Sequence, residues 1–313
     1  MLIPFVPNKK SSAAKKWLQA FELQMSEHQF KLLDELTDAE KKAAQVAIVA
    51  NADAIDFNQM PNLKWIQSTW AGVENLLTNP TLGNVPVVRM QDPALATTMA
   101  HSVLCWVMNC QRHNPIYRQQ QAQSLWQPHP VTANEDLNVV LLGAGNMAQH
   151  SAQLLSSFGY QVHCWARRSG QVVGDIYASS GRTSLRNLLG IADITILLLP
   201  LTDETKGLLN EETLSWMAPD SYLINFSRGK IIHDEALLKH LSCGAIRHAI
   251  LDVFATEPLP PEHAYWHHPR VTVLPHISAP TNPFTASKVV AENITDYVEK
   301  GVIPVAVNRK LGY

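Results

Sequence analysis

The feature that most constrains the fold of this chain is a glycine-rich turn between an apolar run and a helical pattern. Residues 139–142 form a continuous apolar segment, which is typical of a parallel strand buried on both faces. Gly143, Ala144 and Gly145 follow, and the apolar spacing predicts a helix over 147–158. The glycines allow a tight turn and a close approach of the backbone to a pyrophosphate, while the helix N-terminus supplies free N–H groups. The turn therefore predicts a dinucleotide-binding site.

Strand-like and helix-like segments alternate on both sides of this turn, which indicates βαβ units and parallel sheets of the α/β class. The predicted strands cover residues 3–6, 46–50, 63–68, 87–89, 139–142, 161–165, 193–199, 221–225, 249–253 and 271–274. The predicted helices cover 13–25, 96–111, 147–158, 184–189, 211–217, 234–241 and 286–300. The glutamine-rich stretch 117–130 is predicted to be a solvated crossing segment.

The last helical segment, 286–300, lies too far along the chain to belong to the sheet that follows the glycine-rich turn. We expect it to pack on the N-terminal part, which makes the first domain discontinuous. The predicted architecture is two doubly wound domains, with a Rossmann dinucleotide-binding domain inserted in a flavodoxin-like substrate domain. The expected bounds are 1–97 and 281–313 for the substrate domain and 98–280 for the NAD(P)-binding domain.

Composition argues against several kinds of partner and site. The formal net charge of −2 gives no electrostatic reason to expect nucleic acid or an anionic membrane. The apolar run 194–201 is far shorter than the roughly 20 residues that a membrane span needs. Four cysteines without a CxxC pair predict buried, reduced thiols and a cytoplasmic location. No metal is predicted, because the adjacent His267 and His268 cannot readily chelate one ion.

The end of the strand 161–165 indicates which nicotinamide cofactor is used. NAD-binding domains usually carry Asp or Glu at this point, where it binds the ribose hydroxyls. The sequence here is Trp165-Ala166-Arg167-Arg168-Ser169, without a carboxylate. Guanidinium groups bind the 2′-phosphate of NADP bidentately, whereas an acid would repel it. We therefore predict a preference for NADPH with weaker use of NADH; the alternative is that the two arginines are solvated surface charges.

Side chains that follow predicted strands match the reduction of a 2-keto acid. That reaction needs a cation that holds the substrate carboxylate and polarises the carbonyl, and an acid that titrates near neutral pH. Arg228 suits the first role and His276 the second, while Glu257 is expected to hydrogen-bond the imidazole and keep it protonated. Asp252 is a candidate for binding the nicotinamide carboxamide. Each has a structural alternative, such as a surface arginine or a loop acid, and their order along the chain favours catalysis.

The chain resembles the D-isomer-specific 2-hydroxyacid dehydrogenase family over nearly its full length. Within that family it most resembles the bacterial glyoxylate/hydroxypyruvate reductase A subgroup. The Asp-Val-Phe-x-x-Glu-Pro-Leu-Pro run and the Pro-His pair are highly specific in combination. The matching motifs are the turn 143–145, the strand end 164–168, Leu199-Pro200-Leu201-Thr202, Asn225-Phe226-Ser227-Arg228-Gly229, the run 251–260, residues 266–271, Pro275-His276-Ile277-Ser278-Ala279 and the closing Gly312-Tyr313.

This resemblance implies two α/β domains with the active site in the cleft between them, and a homodimer joined through the cofactor domain by the helix 96–111. It implies that Arg228 binds substrate, that Glu257 pairs with His276 and that His276 is the proton donor. It also implies that the turn Trp70-Ala71-Gly72 offers backbone N–H groups to the substrate carboxylate. The candidate cofactor-binding residues are Gly143, Gly145, Asn146, Met147, Arg167, Arg168, Ser169, Leu199, Pro200, Phe226, Ser227 and Asp252.

The activity implied by the resemblance is NADPH-dependent reduction of glyoxylate to glycolate and of hydroxypyruvate to D-glycerate. Two alternatives remain open. The first is an NAD-linked dehydrogenase of another D-2-hydroxy acid, of phosphoglycerate or D-lactate type, against which the missing acid at the second strand argues. The second is a dinucleotide-sensing protein of low turnover, against which the presence of Arg228, Glu257 and His276 argues.

Overall fold

The structure is a computed structural model that describes residues 1–7, 13–50, 55–309 and 312. Tyr313, part of the closing motif noted above, lies outside the described residues. The chain divides into two units, one formed by Met1–Leu95 with Thr281–Tyr313 and the other by Ala96–Pro280. Within the described ranges, no helix is both long enough and apolar enough to cross a membrane.

The first unit contains a parallel five-stranded sheet whose order is β2-β1-β3-β4-β5 when its strands are numbered along the chain. The strands are β1 (Leu2–Val6), β2 (Gln29–Leu32), β3 (Val46–Val49), β4 (Trp65–Ser68) and β5 (Val87–Val88). Three of its helices are α1 (Ala14–Gln24), α2 (Asp38–Ala43) and α3 (Glu74–Leu77). Every residue of β3 and β4 is buried, as expected for central strands covered on both faces.

The C-terminal helix Pro283–Lys300 packs into this same unit. Its residues Ala286, Val290 and Ile294 recur at helical spacing and are fully buried in the core that contains Trp65. Burying a Val or Ile side chain contributes roughly 1.5–3 kcal/mol. This apolar stripe therefore holds the helix against the first sheet, although the whole second unit separates them along the chain.

Two elements of the first unit are absent from the sequence prediction. Strand β2 is only four residues long and has just one fully buried residue, Phe30, so it lacks a clear apolar period. Helix α2 has no buried residue, and its signal is a capping box. In that box Thr37 Oγ1 accepts a hydrogen bond from Glu40 N–H, and the Glu40 carboxylate accepts one from Thr37 N–H. The Thr-x-x-Glu pattern was visible in the sequence.

The second unit contains a parallel six-stranded sheet and a two-stranded hairpin, which confirms the predicted α/β class with parallel sheets. The sheet order is β13-β12-β11-β10-β6-β7, and the hairpin pairs β8 with β9. The strands are β6 (Asn138–Leu142), β7 (Gln161–Trp165), β8 (Val172–Val173), β9 (Ile176–Tyr177), β10 (Ile194–Leu197), β11 (Ser221–Asn225), β12 (Ile246–Leu251) and β13 (Val271–Val273). The helices are α4 (Pro93–Gln111), α5 (Asn114–Ala122), α6 (Asn146–Ser157), α7 (Gly181–Ile191), α8 (Glu211–Leu214) and α9 (Asp234–Ser242).

The order in which strands are added to this sheet reverses at β6: β7 pairs with one side of β6 and β10 with the other. Such a reversal opens a crevice at the carboxyl ends of the strands, where doubly wound sheets bind their ligands. The glycine-rich turn leaves β6 at this point.

The segment 117–130, predicted as a solvated crossing segment, begins inside a helix instead. Helix α5 continues to Ala122, and Gln120 on it is buried and lies 2.8 Å from His129, Nε2 to Nε2. Helical spacing was hidden because glutamine is polar but has high helix propensity. The second half of the segment is non-helical, and Trp126 there is 98% exposed.

The prediction of buried thiols is right for two cysteines and wrong for the other two. Cys110 and Cys164 are buried, whereas Cys105 and Cys243 are exposed, and all four are unpaired. Burial raises the pKa of Cys164 to about 12, so this thiol stays protonated and unreactive at neutral pH. Cys105 occupies an apolar stretch of α4, and apolar neighbours in sequence did not distinguish a buried from an exposed position on that helix.

Candidate active site

The candidate residues of the second unit all lie in segments that follow the carboxyl ends of its parallel strands. Parallel strands end at the same edge of a sheet, so these segments converge on one edge, where ligands bind in open α/β sheets. The segments are 143–147 after β6, 166–169 after β7, 198–200 after β10, 226–228 after β11, 252–257 after β12 and 274–276 after β13.

The turn after β6 contains two glycines, of which the fold itself requires only the first. Gly143 has a φ of +142°, and a Cβ built on it would lie 2.7 Å from Leu198 O. Gly145 precedes α6, and a Cβ on it would meet nothing within 4 Å, so open space lies beside the helix N-terminus. The N–H groups of Asn146 and Met147 begin this helix and lack intrahelical acceptors. The space and the donors fit an anionic group such as a pyrophosphate.

The two arginines after β7 differ in their surroundings. Arg167 Nη1 lies 2.9 Å from Glu204 Oε2, and the Arg167 side chain is mostly covered. Arg168 and Ser169 are exposed. The strand end itself has no acid, as the sequence indicated, but the loop after β10 brings the Glu204 carboxylate to it. No local sequence pattern predicted this contact, because it joins residues that are distant in sequence.

Several predicted cofactor residues, in the segments after β10 and β11, are buried or half-buried. Leu199 and Phe226 are buried members of hydrophobic clusters, and Ser227 is buried as well. Pro200 is half-buried, and its carbonyl oxygen accepts a hydrogen bond from Thr205 Oγ1 at 2.7 Å. Buried side chains of this kind shape the wall of a site, and their backbone atoms are what a ligand can reach.

The turn that carries Arg228 is held by two residues that sequence reasoning missed, Asn225 and Gly229. Asn225 Oδ1 accepts hydrogen bonds from Ser227 N–H at 3.1 Å and from its hydroxyl at 2.9 Å, while Asn225 Nδ2 donates to Arg228 O at 3.0 Å. A Cβ on Gly229 would lie 2.0 Å from the carbonyl carbon of Phe254. The turn is therefore pressed against the segment after β12. A buried Asn at a strand end was the available signal.

Glu257 and His276 form the central contact of the site. His276 Nδ1 lies 2.8 Å from Glu257 Oε2, and Glu257 Oε1 accepts a hydrogen bond from Phe254 N–H at 2.9 Å. One carboxylate oxygen thus fixes the acid to the backbone and the other orients the imidazole. The second ring nitrogen of His276, Nε2, remains available for a proton transfer.

The surroundings shift the pKa values of this pair in opposite directions. The hydrogen bond to Glu257 raises the pKa of His276 above 6.5, against the opposing effect of burial. Burial raises the pKa of Glu257, but the hydrogen bonds from His276 and Phe254 N–H outweigh it, so the pKa of Glu257 is lowered overall. The positive charge of Arg228 acts on both groups and lowers both pKa values. The pair favours an imidazolium beside a carboxylate.

Asp252 holds the backbone that presents His276. Asp252 is 2% exposed, and its carboxylate accepts hydrogen bonds from Ile277 N–H at 2.8 Å and from Ser278 N–H at 2.9 Å, one on each oxygen. His276 itself has a φ of +54°, in the left-handed region that non-glycine residues rarely adopt. The sequence indicated a cofactor contact for Asp252, and the geometry adds this bracing role.

The turn Trp70-Ala71-Gly72 lies in the first unit, after β4. Ser68 Oγ accepts a hydrogen bond from Trp70 N–H at 3.0 Å, so this donor is already used. In the described part of the chain, the N–H groups of Ala71 and Gly72 donate to no acceptor. Two adjacent free backbone donors are a common way to bind a carboxylate.

A sequence model described as D-isomer specific 2-hydroxyacid dehydrogenase, NAD binding domain, matches residues 104–278. That span is more than half of the chain and includes every candidate residue from the glycine-rich turn to His276. The chain belongs to the D-isomer specific 2-hydroxyacid dehydrogenase family. Membership confirms the resemblance inferred from the motifs.

The chain is similar in sequence and in structure to other proteins of this family. The chain is 37% identical over 258 residues to a glyoxylate/hydroxypyruvate reductase A of Serratia proteamaculans (strain 568), covering 80% of this chain and 82% of that protein. A D-isomer specific 2-hydroxyacid dehydrogenase of Xanthobacter autotrophicus Py2, solved with NADPH and MES, is 28% identical with a TM-score of 0.92 and 99% of each chain covered. An NADPH-dependent glyoxylate/hydroxypyruvate reductase of Sinorhizobium meliloti, solved with NADP and sulfate, is 27% identical with a TM-score of 0.90 and full coverage of both chains.

Proposed function

We propose that this family member catalyses NADPH-dependent reduction of small 2-keto acids, glyoxylate to glycolate and hydroxypyruvate to D-glycerate. The observation that carries the proposal is the 2.8 Å contact between His276 and Glu257, at the sheet edge that also presents Arg228 and the glycine-rich turn. The names of the Serratia and Sinorhizobium relatives support this choice of substrate and cofactor.

The residues of the second unit fit a nicotinamide dinucleotide. The open space at Gly145 and the start of α6 suit the pyrophosphate, and Arg167 with Arg168 suits a 2′-phosphate. When bound, the nicotinamide ring supplies the hydride. We assign the second unit, expected over 98–280, to cofactor binding, and the first unit, expected over 1–97 and 281–313, to the substrate.

The chain's own side chains account for the rest of the reaction. Arg228 binds the keto acid and polarises its carbonyl, which stabilises the negative charge that develops on oxygen. His276 then delivers its Nε2 proton to that oxygen, while Glu257 stabilises the imidazolium beforehand and holds the ring in place. The N–H groups of Ala71 and Gly72, in the turn after Trp70, are proposed to bind the substrate carboxylate.

We also propose a homodimer in the cytoplasm. Helix α4 supports the first part, because Leu104 and Trp106 are only partly buried and Cys105 is exposed along it. Four unpaired cysteines support a reducing compartment. Light scattering on the purified protein tests the oligomeric state: we expect twice the 34.8 kDa chain mass, and a single-chain mass would contradict the dimer.

The activity is tested by following NADPH oxidation with glyoxylate and with hydroxypyruvate, with NADH in parallel. We expect turnover of both acids, faster with NADPH. Arg228→Ala should lower kcat/KM for the keto acid by about 100-fold or more, since it removes an interaction that strengthens in the transition state. Lys230→Ala, at an exposed cation in the same turn, is the matched control and should leave kcat/KM unchanged.

Cofactor choice needs its own variants. Replacing Arg167 and Arg168 by glutamine should erode the preference for NADPH over NADH, whereas Arg186→Gln, an exposed arginine on α7, should not change it. An unchanged cofactor ratio in the double variant would show that these two arginines do not bind the 2′-phosphate. Unchanged turnover in Arg228→Ala would remove the basis of the catalytic assignment.

A further inference from the structure

An ion pair joins two loops beside the glycine-rich turn. Arg167 follows β7, and its Nη1 lies 2.9 Å from Oε2 of Glu204 in the loop after β10. Only 18% of the Arg167 side chain is exposed, against 66% of the Glu204 side chain. The Arg167 side chain is therefore mostly covered, whereas the Glu204 side chain that pairs with it is mostly exposed.

The order of the sheet places this pair on either side of the glycine-rich turn. Strand β6 lies between β7 and β10, so the loops after β7 and β10 flank the turn that follows β6. In such sheets the pyrophosphate lies at that turn and the adenosine ribose at the end of the second strand. The second strand here is β7, so Arg167 is held by Glu204 at the position where the ribose substituent is recognised.

The loop that carries Glu204 is fixed by its own threonines. Thr205 is 2% exposed, and its Oγ1 donates to Pro200 O at 2.7 Å and accepts from Thr202 N–H at 2.8 Å. Lys206 N–H donates to Thr202 O at 2.9 Å. Because the backbone on both sides of Glu204 is fixed, the fold itself keeps the carboxylate within reach of the arginine.

We propose that Glu204 is a specificity-determining residue that competes with the 2′-phosphate of NADPH for Arg167. The inference rests on the proposed function, in which Arg167 recognises that phosphate. A guanidinium binds a carboxylate or a phosphate through the same N–H groups, so the phosphate has to displace Glu204 and then lies near a like charge. The neutral 2′-hydroxyl of NADH displaces nothing. Glu204 thus weakens NADPH binding selectively and limits the cofactor preference that the arginines create.

Calorimetric titration of the whole protein with adenosine 2′,5′-bisphosphate and with AMP tests the proposal without turnover. Glu204→Gln keeps the size and hydrogen-bonding capacity of the side chain and removes its charge. Because exposed ion pairs have small coupling energies, we expect the bisphosphate to bind about two- to fivefold more tightly and AMP to bind unchanged. Asp203→Asn removes a neighbouring exposed acid of the same loop and should have no effect. Thermal unfolding of each variant verifies that it is folded.

The Arg167→Gln background provides the decisive comparison. If Glu204 acts through Arg167, the gain from Glu204→Gln disappears there, as a double-mutant cycle requires for a coupled pair. Weaker bisphosphate binding in Glu204→Gln, an equal gain for AMP, or a gain that persists without Arg167 overturns the proposal. Wild-type protein that binds neither the bisphosphate nor NADPH would overturn the proposed function as well, whereas normal wild-type binding without a shift in Glu204→Gln refutes only the role of Glu204.

Discussion

Replacing Asp252 by asparagine should loosen the backbone that holds His276 at the edge of the sheet. In the wild type, the buried carboxylate accepts hydrogen bonds from Ile277 and Ser278 N–H at 2.8 and 2.9 Å. Hydrogen bonds to a charged group contribute roughly 1.5–3 kcal/mol each, so the two together outweigh the cost of about 1–2 kcal/mol for a left-handed residue at His276.

Asparagine reverses this balance. Its amide offers one oxygen, worth about 0.5–1.5 kcal/mol in a neutral hydrogen bond, and turns its NH2 group towards the other backbone N–H. A buried donor without an acceptor costs about 1–3 kcal/mol, so the free energy of unfolding should fall by at least about 2.5 kcal/mol. For a unit of this size that corresponds to a fall in Tm of at least about 5 °C. If His276 is the proton donor, as proposed, misplacing it by about 1 Å should lower kcat about 100-fold.

Thermal unfolding and steady-state reduction of glyoxylate with NADPH, on the same preparation, measure both effects. Asp193→Asn is the matched control, because Asp193 Oδ2 also accepts a backbone hydrogen bond, from Asn138 N–H at 2.8 Å, but before β10 at the opposite edge of the sheet. It should cost about 1 kcal/mol and leave kcat unchanged. The bracing role would be refuted if Asp252→Asn kept its Tm and kcat while the KM for NADPH rose, since Asp252 would then act on the cofactor alone.

Three further predictions concern the same edge of the sheet. The pKa of His276 is raised above 6.5 mainly by Glu257, so the pair stabilises the folded state below that pH and loses this contribution as the pH rises through the raised pKa. Glu257→Gln should therefore move the alkaline limb of the pH–kcat profile for reduction towards lower pH, and an unmoved limb would contradict the role of Glu257 in that shift. Gly229→Ala should destabilise the protein by several kcal/mol, because its Cβ would lie 2.0 Å from a backbone carbon of Phe254, and a normal Tm would contradict this packing. Gly145→Ala, whose Cβ meets nothing within 4 Å, should keep the Tm and weaken dinucleotide binding in a titration; unchanged binding would mean that no pyrophosphate approaches there.

Local patterns were sufficient for much of the fold. The apolar run before Gly143 predicted a buried parallel strand, and β6 covers Asn138–Leu142 with its last four residues fully buried. The strands Gln161–Trp165 and Ser221–Asn225 were predicted to the residue. The patterns did not predict β2, which is short and has one buried residue. They also missed α5, in which most residues are polar. In those elements side-chain polarity did not follow the period of the backbone.

The sequence alone predicted the α/β class, which the structure confirms, and indicated Arg228, Glu257 and His276 as candidates, because each lies in a segment after a parallel strand and parallel strands end at one edge. Only the tertiary structure decided how these residues are held. The bond between Glu257 and His276 spans 19 positions, the bonds from Asp252 span 25 and 26, and Gly229 meets the backbone at Phe254. The ion pair between Arg167 and Glu204 also joins segments that are distant in sequence. Contacts between segments this far apart depend on the order of strands in the sheet, which local hydrophobic periodicity does not encode.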